Sequence, residues 1–356
     1  MKIFFFSLII SIPLLLKSQI NNTPKYSNEF LNIGVGARAL GMSNSVITSN
    51  NDVFSGFWNP ANLNEINSDI QIGLMHSEYF AGIAKYDFGS IAKNIDDKSG
   101  FCFSFLRFGV DNIPNTIDLI DAQGNVDYDR ITFFSAADMA FLISYGRKLN
   151  DNFSVGGSAK IINRKAGDFA TAWGFGIDLS STYKKNNWII ALVAKDITST
   201  FNIWNYHLTE NMVNTFYITG NELPQNGIER TLPRAIIGVS KKTNFKRDLS
   251  ILIEMNMDIT TDGRRNVLLQ GNPFSIDPHL GVEVIIKNII FLRSGIGNIQ
   301  KTSDLTDKMI YTIQPNVGLG LKFKSLILEY ALTDIGDASV ALYSNVFSLK
   351  FNLNPK

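Results

Sequence analysis

The 356 residues carry 33 lysines and arginines against 32 aspartates and glutamates, so net charge gives no case for nucleic acid or an anionic surface as a partner. A single cysteine, Cys102, excludes an intramolecular disulfide framework, and a domain of this size can bury enough surface without one.

The chain begins MKIFFFSLIISIPLLLKSQ, with Lys2 ahead of an apolar run from Ile3 to Leu16 and small Ser18 before Gln19. This pattern predicts a secretory signal peptide over residues 1–18, too short and wrongly flanked for a spanning helix. No cysteine stands near the cleavage point, so lipoprotein processing is not expected. Removing the leader takes away Lys2 and Lys17 and no acid, leaving 31 basic against 32 acidic residues, a net charge of −1.

Residues 19–67 read as a separate unit. Between Phe30 and Leu63 the run FLNIGVGARALGMSNSVITSNNDVFSGFWNPANL crowds Gly34, Gly36, Ala37, Ala39, Gly41, Ser43 and Ser45 together. Small side chains let backbone approach other backbone or a wall. The run closes on Asn59-Pro60-Ala61, where Asn caps a short helix and Pro is favoured at its first position. Such a segment suits a periplasmic plug folded against the inner wall of a barrel; it equally suits an ordered surface extension.

From residue 68 to the end, period-two alternation is broken at turn residues. It predicts fourteen strands, near 69–76, 80–92, 100–110, 136–149, 152–165, 170–183, 187–197, 232–243, 248–258, 277–287, 289–298, 312–323, 325–334 and 344–353. Most exceed the roughly 9–11 residues that a tilted strand needs to cross a bilayer. Trp173, Phe175, Ile177 and Leu179 alternate with Gly174, Gly176, Asp178 and Ser180, and Phe347, Leu349, Phe351 and Leu353 with Ser348, Lys350 and Asn352. Connections alternate between short ones, such as 184–186, and long ones at 111–135, 198–231, 259–276 and 299–311. That asymmetry belongs to outer-membrane barrels, in which the apolar face points to lipid and the polar face lines the lumen. The expected fold is therefore all-β: a fourteen-stranded antiparallel transmembrane barrel over 68–356, with both ends and the plug on the periplasmic side. Near Phe101, Phe103, Phe105 and Arg107 the pattern leaves two readings open, an arginine near an interface or a bulge.

Chemistry is sparse. His76, His207 and His279 fall in a strand, a long loop and another strand, with no HExxH, GxSxG or CxxC pattern. Asp258, Asp262 and Asp277 lack calcium-loop spacing. Gly34–Arg38 reads GxGxR but follows no strand and opens no recognisable helix. No cofactor, metal site or enzymatic activity is expected. The long loop 198–231 is richer: Phe201, Trp204, Tyr206, Phe216 and Tyr217 stand among Asn and Thr, a composition suited to recognising another chain or to packing over the barrel mouth. Loop 111–135 carries Asp111, Asp118, Asp121, Asp127 and Asp129, an acidic surface.

GVGARALGM at Gly34–Met42 and DVFSGFWNPANL at Asp52–Leu63 resemble the N-terminal signature of the PorV/PorQ family. These are outer-membrane β-barrels of Bacteroidetes-type Gram-negative bacteria, distantly related to the FadL fatty-acid transporters. Gly34 lies in this plug motif, and Gly36, Ala37, Arg38, Gly41, Met42, Asp52, Asn59, Pro60, Ala61 and Leu63 fall on the family pattern. Ser43-Asn44 depart from it where the family often has two glycines, and Asn62 where it has one. The resemblance implies a role in the type IX secretion system, binding the C-terminal domains of exported cargo and the giant translocon barrel. Two rivals stand beside this shuttle role: passive transport of hydrophobic solutes in the FadL manner, with Gly156-Gly157 or Gly318–Gly320 kinking a strand or relieving crowding, and a rim enzyme built on a histidine.

Overall fold

The computed structural model describes residues 26–119, 125–246, 248–303, 309–333 and 343–355. The expected signal peptide, residues 19–25 and Asp121 lie outside the described residues.

Fourteen antiparallel strands close into a ring. They are β1 (Ser68–Tyr79), β2 (Ala84–Asp96), β3 (Ser99–Asn115), β4 (Thr132–Lys148), β5 (Phe153–Ala166), β6 (Ala170–Lys185), β7 (Trp188–Lys195), β10 (Arg234–Lys246), β11 (Leu249–Thr260), β12 (Ser275–Ile286), β13 (Ile290–Ser303), β14 (Met309–Phe323), β15 (Leu326–Thr333) and β16 (Ser344–Pro355). Sequence neighbours pair throughout, and β1 closes the ring on β16 with Ser68 opposite Pro355 and Glu78 opposite Asn345. Closure leaves no free edge along the fourteen-strand ring, the condition for a sheet in lipid. Among the described residues no helix is long and apolar enough to cross a membrane.

The faces fall as the alternation predicts. Trp173, Leu179, Leu280, Leu328 and Phe347 lie on the outer surface, while Lys160, Asp178, Glu283, Ser348 and Lys350 are buried inside. A set of inward apolar residues was not anticipated: Tyr86, Phe88, Leu106, Leu142 and Ile162 are almost fully buried on β2–β5. They form a greasy half of the lumen. At Arg107 the ladder runs unbroken on both sides. The residue stays on the outer face with Phe101, Phe103 and Phe105, and the register shifts further on, between Val110 and Ile113.

The expected loop 198–231 is not a plain loop. It contains β8 (Phe201–Tyr206), helix α3 (Glu210–Ile218) and β9 (Gly227–Arg230). β8 continues the line of β7 along β6: β7 pairs with Leu179–Lys185 and β8 with Ala170–Phe175. β9 likewise continues β10. Both lines break at one level, at 196–200 and 231–233, and the break is bridged by Ile197 N to Ile177 O (3.0 Å) and Thr231 N to Thr200 O (2.7 Å). The wall is interrupted here and not at the glycine pairs.

Candidate functional site

Residues 26–67 lie inside the ring. Helix α1 (Ala37–Gly41) follows Gly34 and Gly36, both at positive φ (95° and 89°), and a second short helix, α2 (Ser55–Trp58), lies further along the plug. No local signal marks α1 because it is only five residues long and held from outside: Ala37 N donates to Ser348 Oγ (3.0 Å) on β16. Gly41 lies against the Gly318 backbone, where an added Cβ would come within 3.0 Å of Gly318 Cα. Gly156 and Gly146 meet Ala61 and Pro60 in the same way, so these glycines make room for the plug. Ser43 and Asn44 adopt positive φ of 51° and 62°, which explains why glycine suits those positions. Asn59 caps Pro60–Glu65 as expected, its side chain accepting from Ala61 N (3.1 Å). Asn62 is fully engaged: Nδ2 reaches Ile47 O (3.2 Å) and Asn50 O (2.9 Å), and Oδ1 accepts from Thr182 (2.8 Å).

Charged contacts join plug to wall in one chain. Arg38 forms a two-pronged pair with Glu283 on β12, Nε to Oε1 and Nη2 to Oε2 both at 3.0 Å. Glu283 also accepts from Arg293 Nε on β13 (2.7 Å), and Arg293 Nη2 donates to Glu329 on β15 (2.8 Å). Glu329 pairs with Lys350 on β16 (3.1 Å), and Lys350 returns to the plug at Asp52 (2.7 Å). The series Arg38–Glu283–Arg293–Glu329–Lys350–Asp52 therefore starts and ends on motif residues. All six are buried, where a matched, hydrogen-bonded set holds and an unmatched charge is costly. Glu254 on β11 adds a further anchor, accepting from Thr48 N (2.8 Å) and Ser49 N (3.2 Å). Sequence reading placed Lys350 on the polar face but did not single out Arg293, Glu329 or Glu254. The available signal was a charge at an inward strand position.

The other side of the plug is aromatic. Phe54 and Phe57 of the plug lie 5.5 and 6.1 Å from Phe88, and Lys195 Nζ stands 4.5 Å above the Phe57 ring. Met42 and Leu63 are wholly buried. Cys102 is buried behind Gly56, an inert filler rather than a reactive thiol. At the long-loop end, Arg265 pairs with Asp262 (2.6 Å) and Glu29 (3.0 Å). Burial opposes its charge, but these carboxylates outweigh burial and raise its pKa above the ordinary arginine value. One cavity of about 640 Å³ opens at the short-turn end and another of about 730 Å³ at the long-loop end, and no residue lines both.

The five loop aromatics are not gathered on one surface. Trp204 and Tyr206 stack 6.1 Å apart on β8, and Trp204 donates to Glu229 (2.7 Å) beneath Arg164. Phe201 points outward beside Ile203 on the same strand. Phe216 and Tyr217 lie on α3, where Tyr217 and Ile218 are 69% and 86% exposed. Asn211 of α3 bonds Asp118, tying the helix to the acidic connection. The histidines are far apart. His76 faces outward against Asp87 (2.7 Å), His207 follows β8, and His279 lies beside Asp277 (3.5 Å). Among the described residues no three His, Cys, Asp or Glu side chains gather as a metal site.

The sequence matches the family model of "Type IX secretion system protein PorV" over residues 17–207. No curated protein matches it. Among solved structures, the Pseudomonas putida toluene transporter TodX is similar with a TM-score of 0.56 at 12% identity, over 94% of this chain and 100% of that one. The Ralstonia pickettii toluene transporter TbuX gives 0.53 at 11% identity, over 90% and 99% of the two chains. A Pseudomonas aeruginosa FadL homologue gives 0.52 at 14%, over 89% and 97%. At such identities the likeness is one of fold. Fold and family together imply a non-enzymatic outer-membrane β-barrel.

Proposed function

The chain belongs to the family of type IX secretion system protein PorV, and from that premise we propose that it serves the system as a sealed barrel that binds partner chains at its long-loop end. The partners on this reading are the C-terminal domains of exported cargo, the translocon barrel, or both. The leader over 1–18 directs export, residues 19–67 form the plug, and the long loops face the cell exterior. One observation carries the reading: the plug is tied to four wall strands by the buried series from Arg38 to Asp52, while α3 presents Tyr217 and Ile218 to solvent. A barrel built to conduct gains nothing from so many matched buried charges on its stopper. An exposed tyrosine and isoleucine on a short helix beside adaptable polar residues fit recognition of another chain. Affinity capture of the tagged protein from native membranes in mild detergent tests this; recovery of translocon and cargo domains is expected, and recovery of neither overturns it.

A second reading, passive transport of hydrophobic solutes, draws on the apolar floor of the long-loop cavity, where Leu31, Ile33, Leu40, Trp58 and Phe108 come together. Saturable binding of a labelled hydrophobic solute, lost on Trp58→Ala, would favour it over the partner-binding role.

A further inference from the structure

The cavity at the short-turn end has a charge pattern that the plug does not use up. Seven basic side chains line it against four carboxylates, an excess of three positive charges. Lys350, Arg38 and Arg293 are matched within the buried series, and Lys184 pairs with Glu65. Lys242 and Lys322 line the mouth on inward strand positions and make no ion pair among the described residues. Deeper in, Arg293 is 5% exposed and gives Nε to Glu283 and Nη2 to Glu329, which leaves Nη1 without a hydrogen-bond partner among the described residues. A buried guanidinium donor without a partner is expensive unless something occupies the space before it. Its ring-side neighbour is Phe291, 5.3 Å from the guanidinium carbon, so water is partly excluded from that corner.

We propose that this cavity is an anion site that takes a phosphate group, with Arg293 Nη1 as the deep donor and Lys242 and Lys322 as the capturing cations at the mouth. A guanidinium offers planar donors that match phosphate oxygens, and the lysines act as mobile point charges. An excess of one sign inside a low-dielectric mouth concentrates counter-ions and speeds their entry. The phosphate comes either from a phospholipid headgroup of the adjoining leaflet or from a free phosphate ester. This site is independent of the partner-binding role, because it lies at the opposite end of the barrel.

The test uses the full-length protein in non-ionic detergent, with calorimetric titration of inorganic phosphate and, separately, of short-chain phosphatidylglycerol, each against phosphatidylcholine as control. The expected result is saturable binding at or below about 1 mM, weakened at least about tenfold by combined Lys242→Glu and Lys322→Glu. Binding of both probes assigns a site open to free phosphate; binding of phosphatidylglycerol alone assigns the lipid headgroup. Arg293→Lys keeps the charge of the buried series and removes the spare donor, and its affinity should fall several-fold. If that variant does not fold, the mouth variant, verified by its heat-dependent gel shift, decides the matter alone. Equal affinity in wild type and mouth variant, or no binding of either probe, overturns the proposal.

Discussion

Arg38 sits in the plug ahead of the first barrel strand and Tyr217 in the segment between β7 and β10, and their surroundings are opposites. Around Arg38 each carboxylate of the buried series meets a cation and the plug backbone is tied to side chains of the wall: Val53 N donates to Gln71, Thr48 N to Glu254, Ala61 N to Ser180. Around Tyr217 the matching is local, with the Thr215 and Thr219 hydroxyls donating to carbonyls of the helix itself. Helix α3 has no buried residue, and its tie to the rest of the molecule on the acidic side runs through Asn211 and Asp118. The lesson is one of division of labour. Polar side chains inside the barrel tie the plug to the wall, whereas on α3 it is the large side chains of Tyr217 and Ile218 that stay uncovered.

Substitutions that break the matching inside should therefore cost far more stability than any made on α3. The largest effect is expected for Glu329→Leu, which strands Arg293 and Lys350 without their shared carboxylate. Loss of about 3–5 kcal/mol should appear as a large fall in thermal unfolding temperature in detergent. Next comes Gly146→Val, whose side chain would occupy the place of the Pro60 carbonyl. The plug should be displaced, and planar-bilayer recordings should show conductance where the wild type shows none; a silent variant would argue against a plug that seals. Asn62→Ala removes the bonds to Ile47, Asn50 and Thr182 and should cost about 1–3 kcal/mol, measured by denaturant unfolding. The smallest stability effect is expected for Tyr217→Ala with Ile218→Ser, within about 0.5 kcal/mol. The same pair should nonetheless reduce capture of partner chains, since both side chains are open to solvent. If it lowers stability as much as Asn62→Ala, the comparison between the two regions fails.

Much of the architecture could be read from order along the chain. Strand alternation assigned Trp173 and Leu179 to one face and Asp178 and Ser180 to the other because a side-chain period of two survives any tertiary setting. Asn59-Pro60 announced its own turn, since capping and a fixed proline φ are properties of adjacent residues. The departures at Ser43 and Asn44 were visible, and the positive φ that they share gives their cause. Elsewhere local rules had no purchase. β8 was hidden because its alternation spans only six residues inside an aromatic, turn-rich stretch. α1 owes its form to Ser348 rather than to helix propensity.

By itself, then, the sequence determined the fourteen strands of the ring, their two faces, the alternation of short and long connections, and the motif that marks the plug. Tertiary structure alone decided what the motif's charges are for. Arg38 meets Glu283 across 245 positions, and Lys350 meets Asp52 across 298. No periodicity reaches that far. Those pairs exist only because fourteen strands close into a ring whose dry interior makes each unmatched charge too costly to leave alone.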